Sequence, residues 1–184
     1  MSQLKSLIRG CRKGKRDSQK QLYGQFYNYA ISVCLRYSRN REEAQEIVND
    51  GFMKVFTRLD QYNDSLSFQG WLRRIMINSA IDFYRRNEKH QNHLDIVHAS
   101  DVSSSADSIA QLSEQEIMEA VQKLPPAYRM VFNLYVVEGY KHDEIAHKLG
   151  ISAGTSKSNL AKARMKLKKM LEETHIQNKT KKHG

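Results

Sequence analysis

Cysteine is scarce in this chain. The two present, Cys11 and Cys34, lie in helical patterns and have no CxxC spacing. That excludes a disulfide framework and a zinc site, and it fits a reducing cytosol. No apolar run approaches the ~20 residues needed to span a bilayer. The opening stretch MSQLKSLIRGCRKGKR has no long apolar core followed by a small-residue cleavage site, so it does not read as a secretion signal. The expected compartment is the cytoplasm. Catalytic signatures are missing too. The seven histidines form no HExxH, and His142 and His147, five residues apart, do not share a helix face. There is no Walker-type or GxGxxG loop and no serine in a nucleophile elbow. No enzymatic role, metal, cofactor or small-molecule substrate is therefore expected. Internal repeats and strand-like alternation are also lacking. Acidic residues are in deficit: 20 Asp+Glu face 30 Lys+Arg, for a net charge of +10 and a pI of about 9.6. A polyanionic partner follows from that balance, whether DNA, RNA or an acidic membrane surface.

What is present is helical periodicity. With 184 residues the chain makes one large domain or two small ones. Its 40% hydrophobic content supports packed cores, and a mean hydropathy of −0.68 keeps them small. Leu4, Leu7, Ile8 and Cys11 fall on one helical face, which Gly14 terminates. Asp17 or Ser18 is placed to cap the next helix. There Leu22, Tyr23, Phe26, Tyr27, Ala30, Val33, Cys34 and Tyr37 form a broad stripe. Its aromatics read as core rather than as a base-stacking surface. Asn40 is a good N-cap for a third helix, with Glu42 and Glu43 in its first turn. That helix buries Ala44 through Leu59 at helical spacing. Its opposite face carries Gln45, Glu46, Asn49 and Asp50, which by periodicity alone is a solvated face. Residues 60–67 are a polar loop. Phe68, Trp71, Leu72, Ile75, Met76, Ser79 and Phe83 then trace a buried face beside a flank of Arg73, Arg74, Asn78, Asp82, Arg85 and Arg86.

From Gln91 to Ser113 Lys and Arg disappear, and Asp95, Asp101 and Asp107 stand among serines. This reads as a flexible, acidic linker between two helical domains. Helix resumes with Ile117, Val121 and Leu124. Pro125 breaks it, and Pro126 starts the next helix, where Tyr128, Val131, Phe132, Tyr135 and Val136 are expected on one packed face. Gly139 ends it. Tyr140 to Lys169 then holds two helices joined by a tight turn. Ile145, Ala146 and Leu149 share a face, Gly150 suits a left-handed cap, and Ser152 can cap the second helix. The second helix carries Leu160, Ala163 and Leu167 inside and a basic exterior. This is a helix-turn-helix, sized for a major groove. Residues 174–184 read as a basic, fraying tail.

The order of these pieces resembles the sigma factors of bacterial RNA polymerase, in the extracytoplasmic-function (ECF) group. AQEIVNDGFMKVF is similar to the helix of the second conserved region. SFQGWLRRIMINSAIDFYRR is similar to the segment that melts the promoter and recognises the minus-ten element. The stretch from LPPAYRM to ARMKL is similar to the fourth region, which reads the minus-thirty-five element. The resemblance covers roughly residues 5–172. It implies an all-α fold of two small domains: residues 1–90 for core-polymerase binding, minus-ten recognition and melting, and residues 114–173 for the helix-turn-helix. Residues 91–113 fall where the family has its connector, which would thread toward the active-site and RNA-exit channel.

Residue roles follow from the same resemblance. Glu46, Asn49 and Asp50 would bind the clamp coiled coil of the polymerase β′ subunit. The loop holding Asn63, Ser65 and Ser67 would capture a flipped non-template base, and Asn78, Asp82, Arg85 and Arg86 would line that strand. Thr155, Lys157, Ser158, Asn159, Lys162 and Arg164 would meet the minus-thirty-five groove and its phosphates. The implied partners are core RNA polymerase, through its β and β′ subunits, promoter DNA, and an anti-sigma factor, often membrane-anchored. Two positions depart from the family pattern. Ser156 stands where valine is common, so it either loosens local packing or faces the groove. Gly51 stands where a larger apolar residue is common, at a helix cost of about 1 kcal/mol relative to alanine. Two other readings stay open at this point: an autonomous helix-turn-helix regulator that needs no polymerase, and a helical adaptor that binds only protein.

Overall fold

The computed structural model describes residues 3–90 and 113–181, and every regular element among them is helical. The order is α1 (Gln3–Arg12), α2 (Arg16–Leu35), α3 (Arg41–Thr57), a 3-10 turn (Leu59–Gln61) and α4 (Phe68–His90). Then come α5 (Glu114–Gln122), α6 (Pro126–Phe132), a π turn (Asn133–Val137), α7 (His142–Leu149) and α8 (Ala153–Lys181). The contacts divide the chain into two compact units, Met1–Arg86 and Asn87–Gly184. Apart from Ser113, the linker expected at residues 91–113 lies outside the described residues. Among the described residues, no helix is long and apolar enough to cross a membrane.

In the first unit, Gly14 stops α1 with φ of 69°, a left-handed conformation that costs glycine little. Neither Asp17 nor Ser18 caps α2. The helix starts two or three residues earlier, after Lys15, with no side-chain cap. Ser18 is used elsewhere: a Cβ placed on Gly10 would lie 2.1 Å from its Oγ, so it fills the close crossing of α1 and α2. Asn40 does cap α3, its Oδ1 accepting from the Glu43 N–H at 2.9 Å. The aromatics Tyr23, Phe26 and Tyr27 of α2 are half-buried and pack against the core, with Tyr23 4.6 Å from the Phe52 ring and Phe26 4.8 Å from the Phe68 ring. Around them Leu22, Val33, Cys34, Ile47, Val48, Phe52, Val55, Leu72 and Met76 are buried. That burial pushes the Cys34 thiol up to about 12, which leaves it protonated and inert at neutral pH. Helix α4 also buries Ile77, Ala80 and Ile81 beyond its expected stripe, because it meets α2, α3 and the preceding loop on different sides.

Gly51 is a packing position. A Cβ there would sit 2.5 Å from the Met76 Sδ and 2.8 Å from its Cε. Met76 is fully buried, so it occupies the space a larger residue would take. Gly51→Val is expected to destabilise the first unit by about 1–3 kcal/mol through overpacking, despite a better helix former in place of glycine. A shift of the denaturant midpoint measures it.

In the second unit, Ser113 and Glu116 form a reciprocal capping box at α5, and Pro126 occupies the first turn of α6. Ala120, Val121 and Leu124 pack with Ala163, Leu167 and Leu171 of α8, flanked by Tyr128, Phe132 and Met170. One expected face changes. Tyr135 and Val136 are exposed, at 36% and 49%. The face turned inward is instead that of Met130, Val131, Asn133 and Leu134. A π turn follows, in which the Glu138 N–H bonds the Asn133 carbonyl at 3.0 Å, five residues back. The Asn133 amide then donates to the Arg129 carbonyl at 2.9 Å. The expected tail also changes, since α8 runs on through Thr174 to Lys181. No glycine or proline follows Gly154 in it, the Thr174 hydroxyl donates to the Met170 carbonyl at 2.9 Å, and Lys168 pairs with Glu172 at 3.9 Å.

Candidate nucleic-acid interface

Three polar surfaces hold the residues singled out above. On α3, Glu46 and Asn49 are exposed and Asp50 is half-buried. The Tyr23 hydroxyl donates to the Asn49 Oδ1 at 3.1 Å. The Arg86 guanidinium of α4 donates to the Asp50 carboxylate at 2.8 Å and lies 4.0 Å from Glu46. The hydrogen bond to Asp50, helped by nearby acids, raises the pKa of Arg86 against its partial burial. One turn along, Lys54 Nζ donates to Asp82 at 2.8 Å and to the Ser79 Oγ at 3.1 Å. Residues assigned from sequence to two surfaces are thus joined across α3 and α4. Asn78 and Arg85 are exposed on α4.

The loop before α4 is the second surface. Asn63, Ser65 and Ser67 are exposed, and all three shape the loop itself. The Asn63 Oδ1 accepts from the Ser65 N–H at 2.9 Å, and the Ser67 Oγ accepts from the Gly70 N–H at 3.3 Å at the start of α4. Behind them the Tyr62 ring lies 5.3 Å from Phe68 and 5.2 Å from Trp71. A cavity of about 350 Å³ opens here, with Tyr62, Leu66 and Phe68 on one side and Leu4 and Ile8 of α1 on the other. Sequence reasoning missed the part played by α1. It also missed Arg12, whose Nη1 and Nη2 bond both Asp64 oxygens, at 3.0 and 3.1 Å. No local signal marks Arg12, because its partners lie some fifty residues downstream.

The helix-turn-helix is the third. Gly150 closes α7 with φ of 70°. The Ser152 Oγ accepts from the Thr155 N–H at 2.9 Å and so caps α8. Ile145, Leu149, Leu160, Ala163 and Leu167 are buried, while Ala146 is half-buried. At 100° per residue, Thr155, Ser158, Asn159 and Lys162 fall within an arc of about 100° beside that buried stripe, Thr155 exposed and the other three half-buried. Lys157 and Arg164 do not join them. They lie on another flank, where the Arg164 guanidinium sits 6.0 Å from the Tyr135 ring centre. Ser156 neither faces the groove nor loosens the packing. It is fully buried, and its Oγ lies 2.9 Å from the Nδ1 of His142. The first turn of α7 is tied to α8 by that bond, and the His142 ring stacks on Tyr135 at 4.5 Å.

Comparison with known proteins gives two family matches, Sigma-70 region 2 over residues 22–90 and Sigma-70, region 4 over residues 114–167. The chain is 32% identical over 140 residues to the RNA polymerase sigma factor SigZ of Bacillus subtilis (strain 168), covering 74% of this chain and 79% of SigZ. It is 26% identical over 183 residues to the ECF RNA polymerase sigma factor SigW of the same organism, covering 92% and 97%. Among solved structures, it aligns with the sigma factor RpoE from Bartonella quintana, crystallised with the anti-sigma factor NepR. That alignment has 22% identity and a TM-score of 0.49, over 83% of this chain and 96% of the other.

Proposed function

The chain belongs to the sigma-70 family, as an ECF sigma factor directing promoter-specific transcription, and from that premise we propose how its parts divide the work. The α3 face of Glu46, Asn49 and Asp50 docks on the β′ clamp of core polymerase, where its carboxylates meet a basic surface. The loop of Asn63, Ser65 and Ser67 receives an unstacked base of the minus-ten element, and Asn78, Asp82, Arg85 and Arg86 follow that strand. Thr155, Ser158, Asn159 and Lys162 enter the minus-thirty-five major groove, while Lys157 and Arg164 flank it toward phosphates. Residues 91–113 connect the two functions. The sigma-70 family is not an enzyme family, and this chain supplies no catalytic group of its own: core polymerase makes the phosphodiester bonds. The site of action is the cytoplasm. An anti-sigma factor, membrane-anchored in many systems of this family, covers the polymerase and DNA faces until a signal arrives.

One observation carries this reading: a basic helix-turn-helix in one unit stands with a polar loop over an aromatic-walled cavity in the other. An autonomous regulator needs only the first. Run-off transcription with purified core polymerase on genomic DNA fragments tests the proposal. The expected result is a discrete transcript that depends on this chain; a competent core that yields none from any fragment refutes it. Within the second unit, Lys162→Ala is expected to weaken duplex binding and to make the slope of log K against log salt shallower by about 0.9. Binding isotherms at several salt concentrations read it, and an unchanged slope removes Lys162 from the phosphate contacts.

A further inference from the structure

We infer that Arg12 is a positioning residue for the base-capturing loop: its guanidinium latches α1 to the loop and sets the width of the cavity between them. The inference rests on the reading of that loop as the minus-ten base site.

The geometry is specific to arginine. Nε donates to the Leu59 carbonyl at 3.3 Å, and Nη2 donates to the Tyr62 carbonyl at 2.9 Å. The Nη1 and Nη2 fork holds Asp64 through both carboxylate oxygens, and Asp60 lies 4.0 Å from Nε. One side chain therefore gathers the 3-10 turn and the first half of the loop. The loop's other hydrogen bonds are short-range: Asn63 to Ser65, Tyr62 to Leu66 and Ser67 to Gly70. These shape the loop, and the last joins it to the first turn of α4. Arg12 hydrogen-bonds the loop to α1, from which Lys5 and Arg9 also bear electrostatically on Asp64; Leu4 and Ile8 of α1 line the cavity. Its donors are directed at protein oxygens, so it acts on the loop rather than on a phosphate. Lysine keeps the charge but not the fork, and cannot satisfy a carboxylate and two carbonyls together.

The test uses the full chain assembled with core polymerase, on a promoter fragment carrying 2-aminopurine at the unstacked minus-ten position. Its fluorescence rises when the base leaves the stack. Arg12→Lys and Asp64→Asn are each expected to reduce capture about tenfold, the scale of losing a charge-assisted hydrogen bond. Core affinity and minus-thirty-five duplex binding should stay at the wild-type level, which also shows that both variants fold. Asp64→Asn is the discriminating case. Removing a negative charge beside DNA should strengthen binding if only electrostatics acts, and weaken it if the latch acts. Trp71, the single tryptophan, lies 5.2 Å from the Tyr62 ring, so its emission in the free chain reports the loop. Both variants should shift it.

Capture retained by Arg12→Lys, tighter binding by Asp64→Asn, or an unmoved Trp71 emission overturns the inference alone. A silent probe in the wild-type complex overturns the base-capture reading, and this inference with it.

Discussion

Asp50→Arg is expected to lower affinity for core polymerase by about two orders of magnitude, the scale on which like charges placed across an interface act. The substitution puts a cation in the middle of the acidic α3 face. It also removes the partner of Arg86, now 2.8 Å from the Asp50 carboxylate, and so adds repulsion between α3 and α4. The fold should survive this. The pair is partly exposed, at 39% for Asp50 and 55% for Arg86, and exposed pairs are worth only about 0–1 kcal/mol. Stability of the first unit comes instead from the buried layer around Phe52, Leu72 and Met76. Competition against a labelled wild-type chain for purified core measures the affinity, and thermal melting checks the fold. Wild-type affinity in a folded variant would mean that the α3 face is not the docking surface.

Ile145→Ala should have the opposite pattern. Ile145 is fully buried on α7, which packs on α8. Its truncation is expected to cost about 2–5 kcal/mol from lost transfer energy and the cavity left behind. Small helical units seldom hold more than about 3–5 kcal/mol in all, so the helix-turn-helix should be largely unfolded. Binding to a minus-thirty-five duplex should disappear while core affinity, carried by the first unit, stays near wild type. The melting curve should resolve an early transition for residues 113–181. Equal loss of both activities would show that the two units do not fold independently.

These two predictions separate surfaces that the sequence already distinguishes. The acidic side of α3 follows from where Glu46, Asn49 and Asp50 stand relative to Ile47, Val48 and Phe52, at 3.6 residues per turn. The left-handed Gly150 and the cap at Ser152 are legible because one backbone conformation and one hydrogen bond decide them locally. Asn40 and Pro126 are legible for the same reason. Periodicity failed where a local rule was broken from inside the helix. A π turn stands at Asn133–Val137, and Tyr135 and Val136 face outward while Asn133 and Leu134 are buried. Nothing in LYVV announces that to a 3.6-residue template.

Other features depend on neighbours far along the chain. Gly51 looked like a weakness in α3 until Met76 filled its space. Ser156, which by sequence either loosens packing or faces the groove, is instead buried against His142, fourteen residues earlier.

The helix-turn-helix, the all-helical class and the polyanionic partner were therefore determined by sequence alone, because propensity, caps and net charge act over a few residues or over the whole chain. Tertiary structure alone decided that Arg86 rests on Asp50, that Ser156 meets His142, and that Arg12 ties α1 to the loop ahead of α4. Each of these is a contact. Its partner lies outside any local window, and its energy exists only once the chain has brought the two together.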